Sequence, residues 1–218
     1  MIAVVSIFGM PYLDRWFHKV EVDSAQIIQG KQVQHSGRTI TVYFSRVGNT
    51  DFPPGVDAVS GASVMKDRGE IIGNAQMIAM MVNNAVGGDI FEIQTVNKYP
   101  ESYSDTVNIA KSEFNEQNPP TLQQPLPDLS SYDNIILIYP LWWSTLPRPV
   151  EAFLKNYDLA GKRLIPIVTH GGGGIGESVE MVNRLTKAKV VEPMDIYSSD
   201  IPSSRNNIYN YLEAARLK

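Results

Sequence analysis

No cysteine occurs among the 218 residues, so disulfides, thiolate metal sites, a thiol nucleophile and iron–sulfur clusters are all excluded. A long apolar run is missing too. Ile2 to Phe8 is apolar, but Pro11, Asp14 and Arg15 interrupt it well short of the roughly 20 residues that span a bilayer, and no basic segment precedes it as in a signal peptide. Lysine and arginine form no cluster and the net charge is −4, which excludes nucleic acid as the main partner because several consecutive phosphates could not be neutralised. The three histidines have no second histidine or carboxylate at ligand spacing, so no metal site is expected. Ser45 lies outside any G-x-S-x-G elbow and Ser144 sits in WST, which leaves no hydrolytic serine.

What is present is an ordinary globular composition, 43% hydrophobic and 19% charged, in a chain long enough to bury a sizeable core. Residues 1–38 read as an N-terminal appendage or linker and 39–218 as the main domain. Within the appendage, Trp16, Phe17, Val20 and Val22 call for packing against the domain. A second reading makes it the remnant of a membrane anchor. Ser24 to Gly37 reads as a strand followed by a linker.

From Thr39 onward, strand and helix patterns alternate five times. Ile40, Val42 and Phe44 alternate with polar partners in a strand ending at Ser45. The stretch 51–66, DFPPGVDAVSGASVMK, reads as a long loop beside it. A helix is expected from Asp67, with Ile71, Ile72, Ala75, Ile78, Ala79, Val82 and Ala85 on one face and Gly87 and Gly88 at its end. Met77, Met80 and Met81 read as core packing. Strands follow at 90–96, 135–141, 163–169 and 190–197, with helices at 101–117, after Pro147, at 177–187 and at 206–217. The run 135–141 is nearly all apolar, as in a strand covered on both faces of a parallel sheet. Right-handed crossovers make this a doubly wound α/β fold whose ligand lies beyond the carboxyl ends of the strands.

Three loops lie there. The first, Ser45 to Thr50, offers backbone N–H groups, a glycine that allows close approach and short polar side chains, the makings of an anion cradle. An ordinary strand-to-loop turn has the same local pattern. The second, PLWWST from Pro140 to Thr145, carries two consecutive tryptophans, of which one is expected to pack inward while the other faces a cleft. The third has five glycines among the six residues after His170, a density that suits close backbone approach to a ligand. His170 reads either as a donor to a ligand or as a side chain that fixes the loop, and His18 and His35 as solvated or structural. Phosphate cradle, aromatic wall and backbone donors together suit flavin mononucleotide (FMN).

The segments FSRVGNT, YPLWWSTLPRPVEAFL and IPIVTHGGGGIGES make 39–218 resemble the flavodoxins, in a bacterial branch with a long insertion after the phosphate loop. The resemblance implies a five-stranded parallel sheet in the order 2-1-3-4-5 with FMN at the switch between strands one and three. It implies that Ser45, Arg46, Val47, Gly48, Asn49 and Thr50 surround the phosphate. Pro140, Leu141, Trp142, Trp143, Ser144 and Thr145 would then flank the ring, and His170, Gly171, Gly172, Gly173 and Gly176 its pyrimidine side. Val47 stands where the family more often has threonine, which removes one hydroxyl donor. The function implied is electron transfer through FMN, to a redox partner protein or a small-molecule acceptor, with no catalytic side chain. An FMN-dependent NAD(P)H:quinone or related reductase is the alternative, and a flavodoxin-shaped binding module a third reading. The expected location is cytoplasmic, or membrane-tethered through a segment upstream of residue 1.

Overall fold

The computed structural model describes residues 21–53 and 63–218; the expectations for 1–20, His18 among them, and for most of the 51–66 stretch lie outside the described residues. The main sheet is built on β2 (Thr39–Tyr43) and β6 (Asn134–Pro140), which pair in parallel from Thr39↔Asn134 to Tyr43↔Ile138. β5 (Asp89–Glu92) flanks β2, and β7 (Arg163–His170) flanks β6. The fifth position is shared by β8 (Lys189–Val190) and β9 (Met194–Tyr197), both paired with β7. Pro193 lies between them; it has no N–H to give the ladder, and the single expected strand is accordingly split. The order is therefore the expected 2-1-3-4-5, all parallel.

All seven residues of β6 are buried, because alternate side chains feed two cores. Ile136 and Ile138 face α2 (Asn74–Val86) and α6 (Arg205–Ala215), where Met77, Ile78, Met81, Ile208 and Leu212 are buried. Ile135, Leu137 and Tyr139 face α4 (Arg148–Leu154) and α5 (Ser178–Leu185), against Val150, Phe153 and Val182. Each such aliphatic side chain contributes about 1.5 to 3 kcal/mol by leaving water. α3 (Tyr103–Glu116) lies beside α4, tied by Arg148 Nη2 donating to Phe114 O at 2.9 Å.

One expected element is different. The helix does not open at Asp67. β3 (Val64–Asp67) and β4 (Glu70–Gly73) form an antiparallel hairpin in which Val64 pairs with Gly73. Arg68 and Gly69 supply its two-residue turn, both at positive φ (49° and 89°), the conformation that matches the twist of paired strands. Ile71 and Ile72 suit a helix face equally well, but cross-strand pairing with Lys66 and Met65 captures them. Gly73, extended at φ −77°, then caps α2, and its N–H donates to Gln76 Oε1 at 3.2 Å.

The described part of the appendage is packed rather than loose. β1 (Glu21–Val22) adds to β3 in parallel. The next segment, read as a strand, opens instead with the short helix α1 (Ser24–Ile27), because the Asp67 carboxylate accepts from Ser24 N at 2.8 Å and the Asp23 side chain caps Ala25 N. Val33 is buried and its N–H donates to Ala85 O at 2.8 Å, while His35 Nε2 lies 2.8 Å from Val86 O. His35 is thus structural. Among the described residues no helix is long and apolar enough to cross a membrane, and no group of three His, Asp or Glu could hold a metal.

Candidate functional site

β2, β6 and β7 end at the same edge of the sheet, so the three loops that follow them meet there. They enclose one cavity of about 330 Å³, to which the first loop contributes Arg46, the second Leu141, Trp142, Trp143 and Ser144, and the third His170 and Gly171.

The first loop is held from behind. After Ser45 the chain makes a short 3-10 turn, Val47–Asn49, and Asn49 is fully buried. Its amide donates to Ser45 O at 2.8 Å and Ile93 O at 2.9 Å, and its Oδ1 accepts from Thr95 N at 2.7 Å and Thr95 Oγ1 at 3.1 Å. All four hydrogen-bonding positions of this amide are used, and they tie the loop to the end of β5. Val47 N donates to Ser45 Oγ at 3.2 Å. A Cβ on Gly48 would lie 2.0 Å from Glu92 Oε1, and one on Gly73 would lie 1.8 Å from Ser45 Oγ. The loop is therefore wedged between β5 and the start of α2. Ser45, Val47, Gly48, Asn49 and Thr50 shape it without lining the cavity.

Burial raises the Glu92 carboxyl above its usual range, against hydrogen bonds from Gln94 and Tyr43 that act to lower it. A raised native value means that the stability contributed is full below the unfolded value of about 4.3 and is lost as pH rises through the native one. Glu92→Gln should therefore gain stability relative to wild type as pH is raised from 4 to 8. Urea midpoints that move in parallel for both proteins would exclude this.

Arg46 is the one first-loop side chain in the cavity wall. It is 4% exposed, donates to Pro100 O at 3.1 Å and to Glu101 O, and lies 5.0 Å from the Phe52 ring centroid. Burial pushes its guanidinium below the ordinary value, with Tyr103 opposing. No carboxylate pairs with it among the described residues, and its Nε has no partner. A buried, unpaired cation costs several kcal/mol unless an anion joins it.

In the second loop, Trp142 and Thr145 exchange backbone hydrogen bonds at 3.2 and 2.9 Å, closing a turn on Trp143 and Ser144. Both central residues have positive φ, 50° and 57°, a left-handed strain of about 1 to 2 kcal/mol for each non-glycine residue. The turn separates the two indoles. Trp142 packs edge-on against Phe44 and Tyr99, each centroid at 5.2 Å. Trp143 is 45% exposed and donates to Val107 O at 3.2 Å, with Lys111 Nζ 5.2 Å from its ring. The expected division into one inward and one outward indole is present. Pro140 and Thr145 anchor the loop outside the cavity.

His170 ends β7 and is buried. Its Nδ1 accepts from Gly172 N–H at 2.9 Å, so in the neutral ring the proton is on Nε2, which donates to Asp195 Oδ2 at 3.0 Å. The loop beyond it presses on the second: a Cβ on Gly173 would lie 2.7 Å from Leu141 Cδ2, and one on Gly176 would lie 2.3 Å from Ser144 O. Gly173 and Gly176 thus make loop-to-loop contacts, while Gly172 faces Tyr197 of β9, and none of the three lines the cavity.

Sequence reasoning missed the outer wall. Ser63 and, from α3, Tyr103, Thr106, Val107 and Ala110 complete the cavity. The only local trace of them was the weak apolar pattern of Val107 and Ala110; nothing local said that this helix starts over the strand ends.

A family model described as flavodoxin matches residues 70–214, a span holding the second and third loops. No curated protein matches. Solved structures share the fold. A proposed flavoprotein from Bacteroides eggerthii DSM 20697 is 20% identical over 84% of this chain and 100% of that one, with a TM-score of 0.64. A second, from Bacteroides uniformis ATCC 8492, is 23% identical over 82% and 99%, with a TM-score of 0.61. A flavoprotein from Lactobacillus acidophilus NCFM, solved in complex with FMN, is 16% identical over 77% and 98%, with a TM-score of 0.51. With the model match covering more than half of the chain and the sheet in the same order, the chain belongs to the flavodoxin family.

Proposed function

We propose that the protein binds FMN in the cavity between its three loops and works as an electron carrier. The observation that carries this reading is Arg46, a buried cation with no carboxylate partner among the described residues, in the wall of a cavity that Trp142, Trp143 and Tyr103 also line. A ligand with an anionic group and a flat ring satisfies both features, and FMN has both. Bound FMN would supply the one- or two-electron redox chemistry. The protein's part is to hold it. Arg46 would offset phosphate charge, Trp143 would cover the ring and exclude water, and Leu141 and Gly171 would bound it.

The carrier reading is favoured over the reductase because His170 has both ring nitrogens engaged, by Gly172 and Asp195. It has no proton free for a substrate. The experiment is a titration of the apoprotein with FMN and with riboflavin, followed by anaerobic mixing with NADH or NADPH. Tight binding of FMN and no bleaching near 450 nm until a partner reductase or dithionite is added are expected. Direct bleaching by NADH or NADPH would make the protein a reductase, and no flavin binding would remove the proposal. Arg46→Met should cost FMN about 1.5 to 3 kcal/mol, the range for a hydrogen bond to a charged group, and should leave riboflavin nearly unaffected. Trp143→Ala should weaken both flavins by about 1 to 3 kcal/mol, as for lost aromatic stacking; unchanged affinity would remove the stacking role.

A further inference from the structure

His170 links the glycine loop to a strand residue 25 positions further along the chain. Its Nε2 donates to Asp195 Oδ2 on β9 at 3.0 Å, and its Nδ1 receives the Gly172 N–H at 2.9 Å. The ring stands edge-on to Tyr197, with centroids 5.5 Å apart at 90°. The Asp195 side chain is 53% exposed while that of His170 is 8% exposed, so the histidine is the buried link between a surface carboxylate and the glycine loop. Gly172 sits at φ +129°, a conformation open to glycine that L side chains rarely adopt. The bond to Nδ1 fixes the position of its N–H.

We infer that His170 is a positioning residue that latches the glycine loop through Nδ1, and that a second proton on its ring releases the latch and weakens flavin binding. An imidazolium has N–H at both positions and accepts nothing. Protonation at Nδ1 would turn an N–H toward the Gly172 N–H, so the bond is lost and the two dipoles oppose each other. Gly171, which lines the cavity, lies between the two latched residues, and Gly173 and Gly176 carry the loop's position on to Leu141 and Ser144. Closure of the loop and uptake of the second proton therefore exclude each other. The groups in contact with the ring are Asp195 and Tyr197 from β9, and the other titratable groups that line the same cavity are Arg46 and Tyr103.

This inference rests on the FMN reading for its binding arm only. In the apoprotein, ¹⁵N chemical shifts of His170 should show the Nε2–H tautomer at alkaline pH, and the Gly172 amide should be protected from exchange there and lose its protection as the ring takes a second proton. With FMN, Kd should rise tenfold for each pH unit below that titration, the linkage of one proton to one ligand. Asparagine places Oδ1 as many bonds from Cα as His Nδ1, and it accepts readily from an N–H two residues on. His170→Asn should therefore keep the Gly172 protection at all pH values and lose the extra tenfold-per-unit slope. His170→Gln keeps a donor for Asp195 but no acceptor for Gly172, and should show an unprotected amide throughout. The FMN phosphate titrates equally in all three proteins, so differences between them report on residue 170. An Nδ1–H tautomer in the neutral ring, or identical pH slopes in wild type and His170→Asn, would overturn the inference. If FMN fails to bind, the tautomer and exchange measurements still decide whether the latch exists, and the failure falls on the proposed function.

Discussion

Asn49→Ala should lower the free energy of unfolding by about 3 to 5 kcal/mol, because several buried groups each left unsatisfied carry about 1 to 3 kcal/mol. The side chain is completely buried and makes four hydrogen bonds, two donated to Ser45 O and Ile93 O and two accepted from Thr95. Truncation would strand two carbonyl oxygens and one backbone N–H where water has no easy access. The backbone of the same residue accepts from Tyr99 N at 2.7 Å, so the damage would spread to the segment that carries Pro100 and Glu101, the acceptors of Arg46. Flavin affinity should therefore fall together with stability. Asn49→Asp should be at least as harmful, because a carboxylate would replace the amide that faces two carbonyls and could not donate to them. Chemical denaturation at neutral pH measures both variants. A loss below 1 kcal/mol for alanine would mean that water enters and replaces the amide. Parallel titration with FMN then separates the two effects: a weaker fold with unchanged affinity would show that the loop holds its shape without Asn49.

The second large effect belongs to Gly176→Val. The residue has φ +49°, where a side chain costs about 1 to 2 kcal/mol. Any Cβ would sit 2.3 Å from Ser144 O and 2.8 Å from its carbonyl carbon. That neighbour is backbone, and it cannot swing aside like the end of a flexible side chain. The same Ser144 O accepts from Glu177 N at 2.8 Å, so relief by moving the third loop would break the bond that joins it to the second. Strain and the lost hydrogen bond together suggest a destabilisation of about 2 to 4 kcal/mol. Because Ser144 and Trp143 already occupy a strained turn, the second loop is the element expected to yield, and with it the aromatic wall. Valine should thus reduce FMN affinity more than its effect on the melting midpoint alone accounts for. Gly174→Ala is the control: its φ is also positive, 61°, but nothing lies within 4 Å of a Cβ there. If both variants behaved alike, backbone strain and not the loop-to-loop contact would be the cause.

Much of this architecture is legible along the chain. The apolar run of β6, the alternation of β2 and the heptad-like spacing of α2 are local periodicities, and local periodicity is what fixes strand, helix and the face that each one buries. From these a parallel, doubly wound sheet follows through the handedness of its crossovers, and the resemblance to the flavodoxins implied its strand order. The three loops also carry their chemistry openly, as glycines, tryptophans and short polar residues. The hairpin at 64–73 was hidden for a physical reason: Ile71 and Ile72 satisfy a helical stripe and a paired strand equally, and only the partners Lys66 and Met65 break the tie.

The sequence by itself thus determined the alternation of strand and helix, the edge at which a ligand must sit and the residue types available there. Only the tertiary structure decided what each residue does at that edge. It turned Arg46 towards Pro100 and Glu101 and into the cavity wall, consumed the whole amide of Asn49 in holding the loop, and laid the first turns of α3 across the opening. The physical reason is that the direction of a side chain and the satisfaction of a buried polar group depend on partners some 40 to 55 residues away in the chain. No periodicity of two or of 3.6 residues encodes such a partner; it exists only once the sheet has closed and its loops share one crevice.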